Sequence, residues 1–144
     1  MAGMNITPFV FLLMAVITLS GFSPASSQSW RWFQRKHMDN SVLVGDNNYC
    51  NNIIRDRRIT NRGQCKFRNT FIHALPSTIK GLCMGQEGYV SSNNPYALTD
   101  CFHAPVTNNE MPPNCNYRFQ DRSRQIKIKC ENSDPVHFER ALNN

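Results

Sequence analysis

The sequence predicts one α+β domain, in which three short helices pack on a bent antiparallel β-sheet and three disulfides join the chain. First, helical periodicity and strand-like alternation follow one another along the chain. Second, all six cysteines lie after residue 27, and an even number in a short secreted domain is typical of a disulfide framework. Third, residues 28–144 contain no internal repeat or low-complexity run, so we expect a single domain there.

The first 27 residues have the composition of a secretory signal peptide. They contain no Lys, Arg, Asp or Glu, and an apolar run at residues 8–19 precedes a series of small residues. The run is shorter than the roughly 20 apolar residues that a membrane-spanning helix needs. Ala25 and Ser27 would occupy the −3 and −1 positions of a cleavage before Gln28. A basic n-region is missing, so a membrane anchor or a buried N-terminal helix is the alternative.

Three segments have the apolar spacing of helices. In residues 30–40, Trp30 and Phe33 fall on one face. Residues 49–57 end in basic side chains, which interact favourably with the negative end of a helix dipole. Residues 76–83 are expected to form a third, shorter helix. Residues 41–48 end in Gly-Asp-Asn-Asn and are expected to form a loop.

Strand-like alternation predicts a series of strands in the remaining sequence. They comprise residues 67–73, 96–103, 116–119, 124–130 and 135–138. Ile126 and Ile128 alternate with lysines, as in a strand with one buried face. We expect the third and fourth of these strands to form a hairpin across residues 120–123.

The chain is basic, with a formal net charge of +6 at pH 7, and all of its charged residues lie after residue 27. A small basic domain is suited to anionic partners such as RNA, a heparin-like polysaccharide or an anionic membrane. Charge alone does not choose between these partners, and solubility is the simpler explanation. No Cys-x-x-Cys pair is present, so a zinc site is not expected.

Three short motifs carry candidate chemistry. His37 lies in Phe-Gln-Arg-Lys-His-Met-Asp, Lys66 in Cys-Lys-Phe-Arg-Asn-Thr-Phe and His137 in Pro-Val-His-Phe. Each motif is weak by itself, because a lone histidine is more often structural than catalytic. RNA supplies its own nucleophile, the 2′-hydroxyl, so its cleavage needs a base, an acid and a cation beside the phosphate. Histidine, whose unperturbed pKa is about 6.5, suits both proton transfers, and lysine suits the third role.

In this order, within a six-cysteine chain, the motifs resemble the pancreatic ribonuclease superfamily. The family signature Cys-Lys-x-x-Asn-Thr-Phe is intact at residues 65–71, and residues 49–51, 99–101 and 130–132 resemble further family segments. The resemblance covers residues 30–140. It implies a metal-independent endoribonuclease without a cofactor. Such an enzyme cuts RNA on the 3′ side of pyrimidines and forms a 2′,3′-cyclic phosphate, which is hydrolysed afterwards.

The resemblance also implies a role for each catalytic residue. His37 would be the general base, His137 the general acid and Lys66 the cation that stabilises the transition state. His73 resembles a family histidine that is not catalytic, and the sequence indicates no role for His103.

A second set of residues is implied to bind the substrate. These residues are Lys36, Asn69, Thr70, Thr99, Asp100, Glu131 and Phe138. Thr70 can both donate to and accept from the edge of a pyrimidine, and Phe138 can pack on the base. Thr99 and Asp100 resemble a supporting pair near that pocket. Glu131 resembles a weaker contact to the base on the 3′ side of the cut.

Cysteine spacing alone leaves many disulfide connectivities open. The resemblance implies one of them, in which the first cysteine joins the fourth, the second the fifth and the third the sixth. The resulting pairs are Cys50–Cys101, Cys65–Cys115 and Cys83–Cys130. The second of these would lie directly beside Lys66 and fix its backbone.

The chain departs from the pancreatic pattern in three respects. Lys36 stands where the pancreatic enzyme has Gln, and its charge should lower the pKa of the neighbouring histidine. Glu139 replaces the usual Asp that orients the acid histidine. The family's fourth disulfide is missing, so the chain resembles the three-disulfide branch that includes angiogenin.

The angiogenin-like branch leaves an alternative function open. Residues 55–58, Arg-Asp-Arg-Arg, lie where angiogenin carries a basic patch. The alternative is a cationic host-defence or signalling protein that binds a heparin-like polysaccharide, an anionic membrane or a cell-surface receptor. Its ribonuclease activity would then be weak or incidental. In either case we expect a secreted, extracellular monomer.

Overall fold

In the part of the chain that the structure describes, three helices form close to the positions that the periodicity indicates. The computed structural model describes residues 29–41 and 47–143, so the predicted signal peptide lies outside the described residues. The helices are α1 (Trp30–His37), α2 (Asn47–Asp56) and α3 (Pro76–Gly81). None of them is both long and apolar enough to cross a membrane.

Local sequence sets both ends of α1. Ser29 caps its start, because its hydroxyl accepts a hydrogen bond from the N–H of Trp32 at 3.2 Å. The helix ends at His37, earlier than predicted, because Met38 already has extended backbone and pairs with Ile72. This end of α1 is thereby joined to a strand.

Within the described residues, six strands form two antiparallel sheets of three strands each. The strands are β1 (Arg68–Ile72), β2 (Gly88–Ser91), β3 (Tyr96–His103), β4 (Tyr117–Arg124), β5 (Ile126–Glu131) and β6 (Asp134–Ala141). The first sheet has the order β1-β3-β4 and the second the order β2-β5-β6. Helices packed on antiparallel strands confirm the predicted α+β class. The short strand β2 was not predicted individually.

The predicted hairpin across residues 120–123 is wrong. β4 continues through these residues and pairs with β3 along its whole length, from Tyr96 opposite Arg124 to His103 opposite Tyr117. β5 pairs instead with β2 and β6. Only Gln125 separates β4 from β5, which is too short a connection for the chain to fold back on itself. The chain therefore passes from one sheet to the other at this point.

β1 separates two hydrophobic cores. Its neighbouring residues Phe71 and Ile72 enter different cores, because successive strand residues point to opposite faces. The core around Ile72 contains Phe33, Ile79, Leu98, Ile126 and Ile128. The core around Phe71 contains Tyr49, Ile54, Ile59 and Tyr117. Burial of each large apolar side chain contributes about 1.5–3 kcal/mol, so both faces of β1 are held firmly.

Three disulfides link segments that are far apart in the sequence. Their pairs are Cys50–Cys101, Cys65–Cys115 and Cys83–Cys130, the same pairs that the resemblance implies. The first links α2 to β3, the second links the segments that precede β1 and β4, and the third links the end of the α3 region to β5. Each closes a long loop and contributes about 2–4 kcal/mol.

Glu110 organises the long connection between β3 and β4. Its side chain is almost fully buried and accepts hydrogen bonds from the N–H groups of Val106 and Asn116, at 2.7 and 2.9 Å, and from the Asn116 amide at 2.8 Å. His103 Nε2 lies 3.1 Å from the same carboxylate. His103, to which the sequence assigned no role, therefore helps to anchor this connection.

The Glu110 carboxylate should make stability depend on acid pH. Burial raises its pKa, but hydrogen bonds from Asn116, Val106 and His103 outweigh burial and lower the pKa to about 2. A group with a lowered folded pKa stabilises the fold above its unfolded value, and this contribution is lost as the pH falls toward the folded value. We predict that Glu110→Gln lowers the melting temperature at neutral pH, and that the difference from wild type shrinks between about pH 4.5 and 2.

Thermal unfolding followed by circular dichroism across this pH range measures the effect. Asp56→Asn, at an exposed carboxylate, is the control and should change the melting temperature little. The prediction is contradicted if the difference in melting temperature between wild type and Glu110→Gln stays constant down to pH 2.

Candidate active site

A cleft of about 620 Å³ lies between α1, the start of β1 and β6. Most of the side chains that the sequence predicts for the site line it: Lys36, His37, Lys66, Asn69, Thr70, His137 and Phe138. Thr99, Asp100 and Glu131 do not line it. The cleft therefore brings together residues from opposite ends of the domain, such as Lys36 and Phe138.

His37 presents one free ring nitrogen to this cleft. Its Nδ1 lies 2.9 Å from the carbonyl oxygen of Thr70, and because a carbonyl only accepts, Nδ1 carries the proton. Nε2 therefore keeps a lone pair that can accept a proton. Burial and the nearby positive charge of Lys66 lower the pKa of His37 to about 3, against the opposing hydrogen bond to Thr70, and Lys36 lowers it further. The ring is thus neutral over the whole physiological range.

Lys66 is held by Asn69, three residues further along the chain. The Lys66 Nζ donates to Asn69 Oδ1 at 2.7 Å, and Asn69 Nδ2 donates to the carbonyl of Lys36, also at 2.7 Å. Burial, and secondly the charge of Lys36, lower the pKa of Lys66 to about 8. The backbone of Lys66 is fixed as well, because its carbonyl accepts from the Tyr117 hydroxyl and its neighbour Cys65 forms a disulfide.

His137 approaches the cleft from β6. Its Nε2 lies 3.2 Å from Glu139 Oε2, so the longer side chain at position 139 does reach the histidine. Glu139 lies at an irregularity in the pairing of β6 with β5, between Phe138 opposite Ile128 and Arg140 opposite Lys127. With Nε2 directed at the carboxylate, Nδ1 is the ring nitrogen left for a substrate.

Asp100 lies behind Thr70 and is fully buried. Thr70 donates its hydroxyl hydrogen to one carboxylate oxygen. The other oxygen lies 3.2 Å from Arg68 Nη2 and 2.6 Å from Arg122 Nε. Two guanidinium groups thus compensate one buried charge, as buried carboxylates require.

Arg68 and Arg122 line the cleft but were not predicted as site residues. Arg68 occupies a variable position of the signature, so nothing in the local sequence marks it. Arg122 lies on β4, which pairs with β3 rather than β5. The incorrect hairpin prediction placed Arg122 in the turn at residues 120–123. A correct pairing of β3 with β4 would have placed it two positions from the partner of Asp100.

Thr99 and Glu131 lie apart from the cleft. Thr99 precedes Asp100 on β3 and points to the opposite face, where its hydroxyl donates to Asp121 and contacts His73 Nε2, each at 2.7 Å. Glu131 lies at the end of β5, with one carboxylate oxygen 3.6 Å from Lys129 Nζ.

Arg57 anchors the end of α1, rather than forming part of an exposed basic patch. Its Nη1 donates to the carbonyls of Arg35 and Met38, at 3.1 and 2.6 Å. Cations at a helix C-terminus are favoured by the helix dipole. Of the basic cluster at residues 55–58, only Arg55 and Arg58 are therefore directed at solvent.

Within the part of the chain that the structure describes, no group of three or more His, Cys, Asp or Glu side chains is placed to hold a metal ion. The cleft instead combines a neutral histidine, a second histidine beside a carboxylate and a half-buried lysine. This set can accept a proton, donate a proton and stabilise negative charge.

Comparison with known proteins identifies the family of the chain. The family model for pancreatic ribonuclease matches residues 28–139. The pancreatic ribonuclease of Iguana iguana is 38% identical over 122 residues, covering 80% of this chain and 99% of the relative. Angiogenin-4 of Mus musculus is 33% identical over 147 residues, covering 96% and 98%.

Solved structures are similar as well. RNase ZF-3E superposes with a TM-score of 0.68 at 28% identity, covering 80% of this chain and 97% of that one. Green turtle egg white ribonuclease gives a TM-score of 0.66 at 31% identity, covering 78% and 98%. The chain belongs to the pancreatic ribonuclease family. Its enzymatic class is accordingly that of an endoribonuclease.

The lowered pKa of His37 can be measured directly. We predict that the ring-proton NMR signal of His37 titrates near pH 3, since burial and the charges of Lys66 and Lys36 disfavour the protonated ring. Lys36→Gln removes one of these charges and should raise the midpoint. Arg31→Gln, an exposed position on the same helix, is the matched control and should leave it unchanged. A wild-type midpoint near the ordinary value of 6.5 contradicts the prediction.

Proposed function

We propose that the chain cleaves single-stranded RNA on the 3′ side of pyrimidines, forming a 2′,3′-cyclic phosphate that it then hydrolyses, without a metal or cofactor. The observation that carries this proposal is the complementary state of two histidines in one cleft. His37 offers a lone pair at Nε2, whereas His137 has Nδ1 left to donate while Nε2 faces Glu139. A base and an acid are what transphosphorylation requires.

In the first step, His37 Nε2 takes the proton of the 2′-hydroxyl, and the resulting oxygen forms a bond to phosphorus. The bond from phosphorus to the 5′-oxygen of the next nucleotide breaks, and His137 gives that oxygen a proton. In the second step the roles reverse: His137 accepts a proton from water, whose oxygen attacks phosphorus. His37 then returns its proton to the departing 2′-oxygen.

Lys66 stabilises the negative charge that the phosphorane gains. Asn69 uses one of the three N–H donors of Lys66, which leaves two for phosphate oxygens. Because the lysine is mostly buried and already positioned, it needs no reorganisation when the charge develops. Lys36, which replaces the Gln of the pancreatic pattern, adds a second cation near the same phosphate.

Thr70 is the proposed reader of the pyrimidine. At the two ends of β1, the N–H of His103 donates to the Phe67 carbonyl and the N–H of His73 donates to the Ala97 carbonyl. The odd-numbered residues therefore bond in the ladder with β3. The N–H of Thr70 therefore points outward and can donate to the pyrimidine O2. Its hydroxyl, while donating to Asp100, keeps lone pairs that can accept the N3–H of uracil. If the hydroxyl turns, it can donate to N3 of cytosine.

The proposal also places the protein outside the cell. Three disulfides persist in oxidising compartments. Together with the predicted signal peptide, they support secretion. RNA is the proposed substrate, and the net charge of +6 supports attraction of its phosphates.

A second candidate is a cationic signalling or host-defence role, favoured by the similarity to Angiogenin-4. A heparin-like polysaccharide, an anionic membrane or a cell-surface receptor would then be the partner, and RNA cleavage would be incidental. Bacterial killing that survives the change His137→Ala would favour this candidate, because it would not need the acid histidine.

The two histidines should each be required for cleavage. We predict that His37→Ala and His137→Ala lower kcat/KM on a uridine–adenosine dinucleotide by about 10²–10⁴-fold each, as loss of a general base or acid does. His103→Gln is the matched control: it replaces a histidine outside the cleft and can still donate to Glu110, so activity should be kept. Circular dichroism establishes that the variants are folded. Wild-type activity in either alanine variant would overturn the proposal.

The pH dependence provides a separate test. Because the pKa of His37 is about 3, kcat/KM should hold its plateau at pH 5 and fall only below it. The pKa of Lys66, about 8, should contribute to the alkaline limb, and Lys66→Arg should move that limb upward. The rates are to be measured with EDTA present. Loss of activity with EDTA, restored by a divalent cation, would contradict the metal-independent mechanism.

A further inference from the structure

Trp32 is an exposed aromatic residue at the mouth of the cleft. It lies on α1, whose buried face is formed by Phe33 and His37. Trp30 stacks on Phe33, with ring centroids 5.8 Å apart, and belongs to the margin of the core. Trp32 points elsewhere, and 38% of its surface is exposed. Its indole thus contributes to a surface rather than to the core.

This indole is a wall shared by two cavities. On one side it lines the cleft that contains His37, Lys66 and His137. On the other it lines a smaller groove of about 210 Å³, formed with residues such as Arg35, Lys36, Arg58 and Thr60. Lys36 belongs to both cavities as well. A strand leaving the cleft along this side would therefore pass the indole.

Positive charge follows the same route. Lys36 is close enough to Lys66 that its charge lowers the pKa of Lys66. Its Nζ lies 5.7 Å from the Trp32 ring centroid, and the Arg35 guanidinium carbon lies 5.2 Å from it. Arg35 is held in place, because its Nε donates to the carbonyl of Arg57. The cations thus continue from the proposed scissile phosphate to the indole.

Proteins that bind single strands combine these two elements. Cations bind the phosphates along the strand, and aromatic rings stack on the bases. Stacking contributes to affinity whatever the base, because every base has a π-face. Cation–π contacts by themselves explain why Arg35 and Lys36 lie near an exposed indole. They do not explain why the indole borders the cleft that contains the catalytic residues.

We infer that Trp32 is a stacking platform for a second unpaired RNA base, next to the pyrimidine bound at Thr70, while Arg35, Lys36 and Arg58 hold the adjoining phosphates. The inference rests on the proposed ribonuclease function and extends it from one base to a longer stretch of single strand. The platform accepts any base, in contrast to the hydrogen-bonding pocket at Thr70.

The test is a double-mutant cycle between the protein and the RNA. The substrates are short oligonucleotides with one uridine between adenosines, and a series in which each adenosine in turn is replaced by an abasic residue. On the intact oligonucleotide, Trp32→Ala should lower kcat/KM roughly tenfold, and Trp32→Phe should restore most of it. On the one abasic substrate that lacks the stacked base, wild type and Trp32→Ala should have the same kcat/KM.

Tyr89 offers a matched control. It is another exposed aromatic residue, with 54% of its surface accessible and with Lys127 and Lys129 Nζ at 5.3 and 6.0 Å from its ring, but it lines neither cavity. Tyr89→Ala should therefore keep the wild-type rate. The inference is overturned if both alanine variants lose the same factor. It is also overturned if Trp32→Ala lowers kcat/KM by the same factor on every abasic substrate, or if Trp32→Ala does not lower kcat/KM at all.

A binding measurement separates this inference from the proposed function. The chain has two tryptophans, so Trp30→Phe leaves Trp32 as the single indole fluorophore. An oligodeoxyadenylate, which lacks the 2′-hydroxyl and cannot be cleaved by this mechanism, should quench its emission by stacking. If quenching occurs but RNA is not cleaved, the proposed function fails and the platform stands. If RNA is cleaved but no quenching occurs, the platform alone fails.

Discussion

The hydrogen bond between His37 and the carbonyl of Thr70 is the contact on which the site depends. At 2.9 Å it joins the last turn of α1 to β1, and it fixes which ring nitrogen of His37 carries the proton. The same threonine supplies the proposed base pocket, so in the proposed mechanism one residue would align proton transfer with base recognition. Other contacts protect this junction: Arg57 binds the end of α1, and Met38 pairs with Ile72.

The electrostatics of the cleft suit an anionic ligand. Lys36 and Lys66 both lie near His37, and both lower its pKa. Lys36 also lowers the pKa of Lys66. These repulsions are present while the cleft is empty, and a bound phosphate would compensate them. The cations that disfavour protonation of the proposed base are therefore the same ones that would hold the substrate.

Local patterns in the sequence predicted most of the elements, and the family resemblance predicted much of the lining of the candidate cleft, whereas contacts between distant strands could not be predicted. Lys66, Asn69 and Thr70 lie in one continuous signature, and their positions follow once β1 forms. Arg122 contacts Asp100 only because β3 pairs with β4. Hydrophobic alternation indicates that a segment forms a strand, but it does not indicate which other strand that segment pairs with. For the same reason His103 had no visible role, since Glu110 reaches it through a connection without regular structure. The contact of Glu139 with His137 likewise could not be predicted from strand alternation, because Glu139 lies at an irregularity in the pairing of β6 with β5.

The position of β1 has a consequence beyond catalysis. It is the outermost strand of its sheet, and such a strand can pair with another molecule and begin aggregation. Here α1 and the residues after it occupy much of that edge: His37 binds the Thr70 carbonyl, and the Asp39 N–H donates to the Ile72 carbonyl at 3.1 Å. The contacts that assemble the candidate active site therefore also cover part of an edge strand that could otherwise pair with another molecule. Solubility and activity depend on the same helix remaining docked.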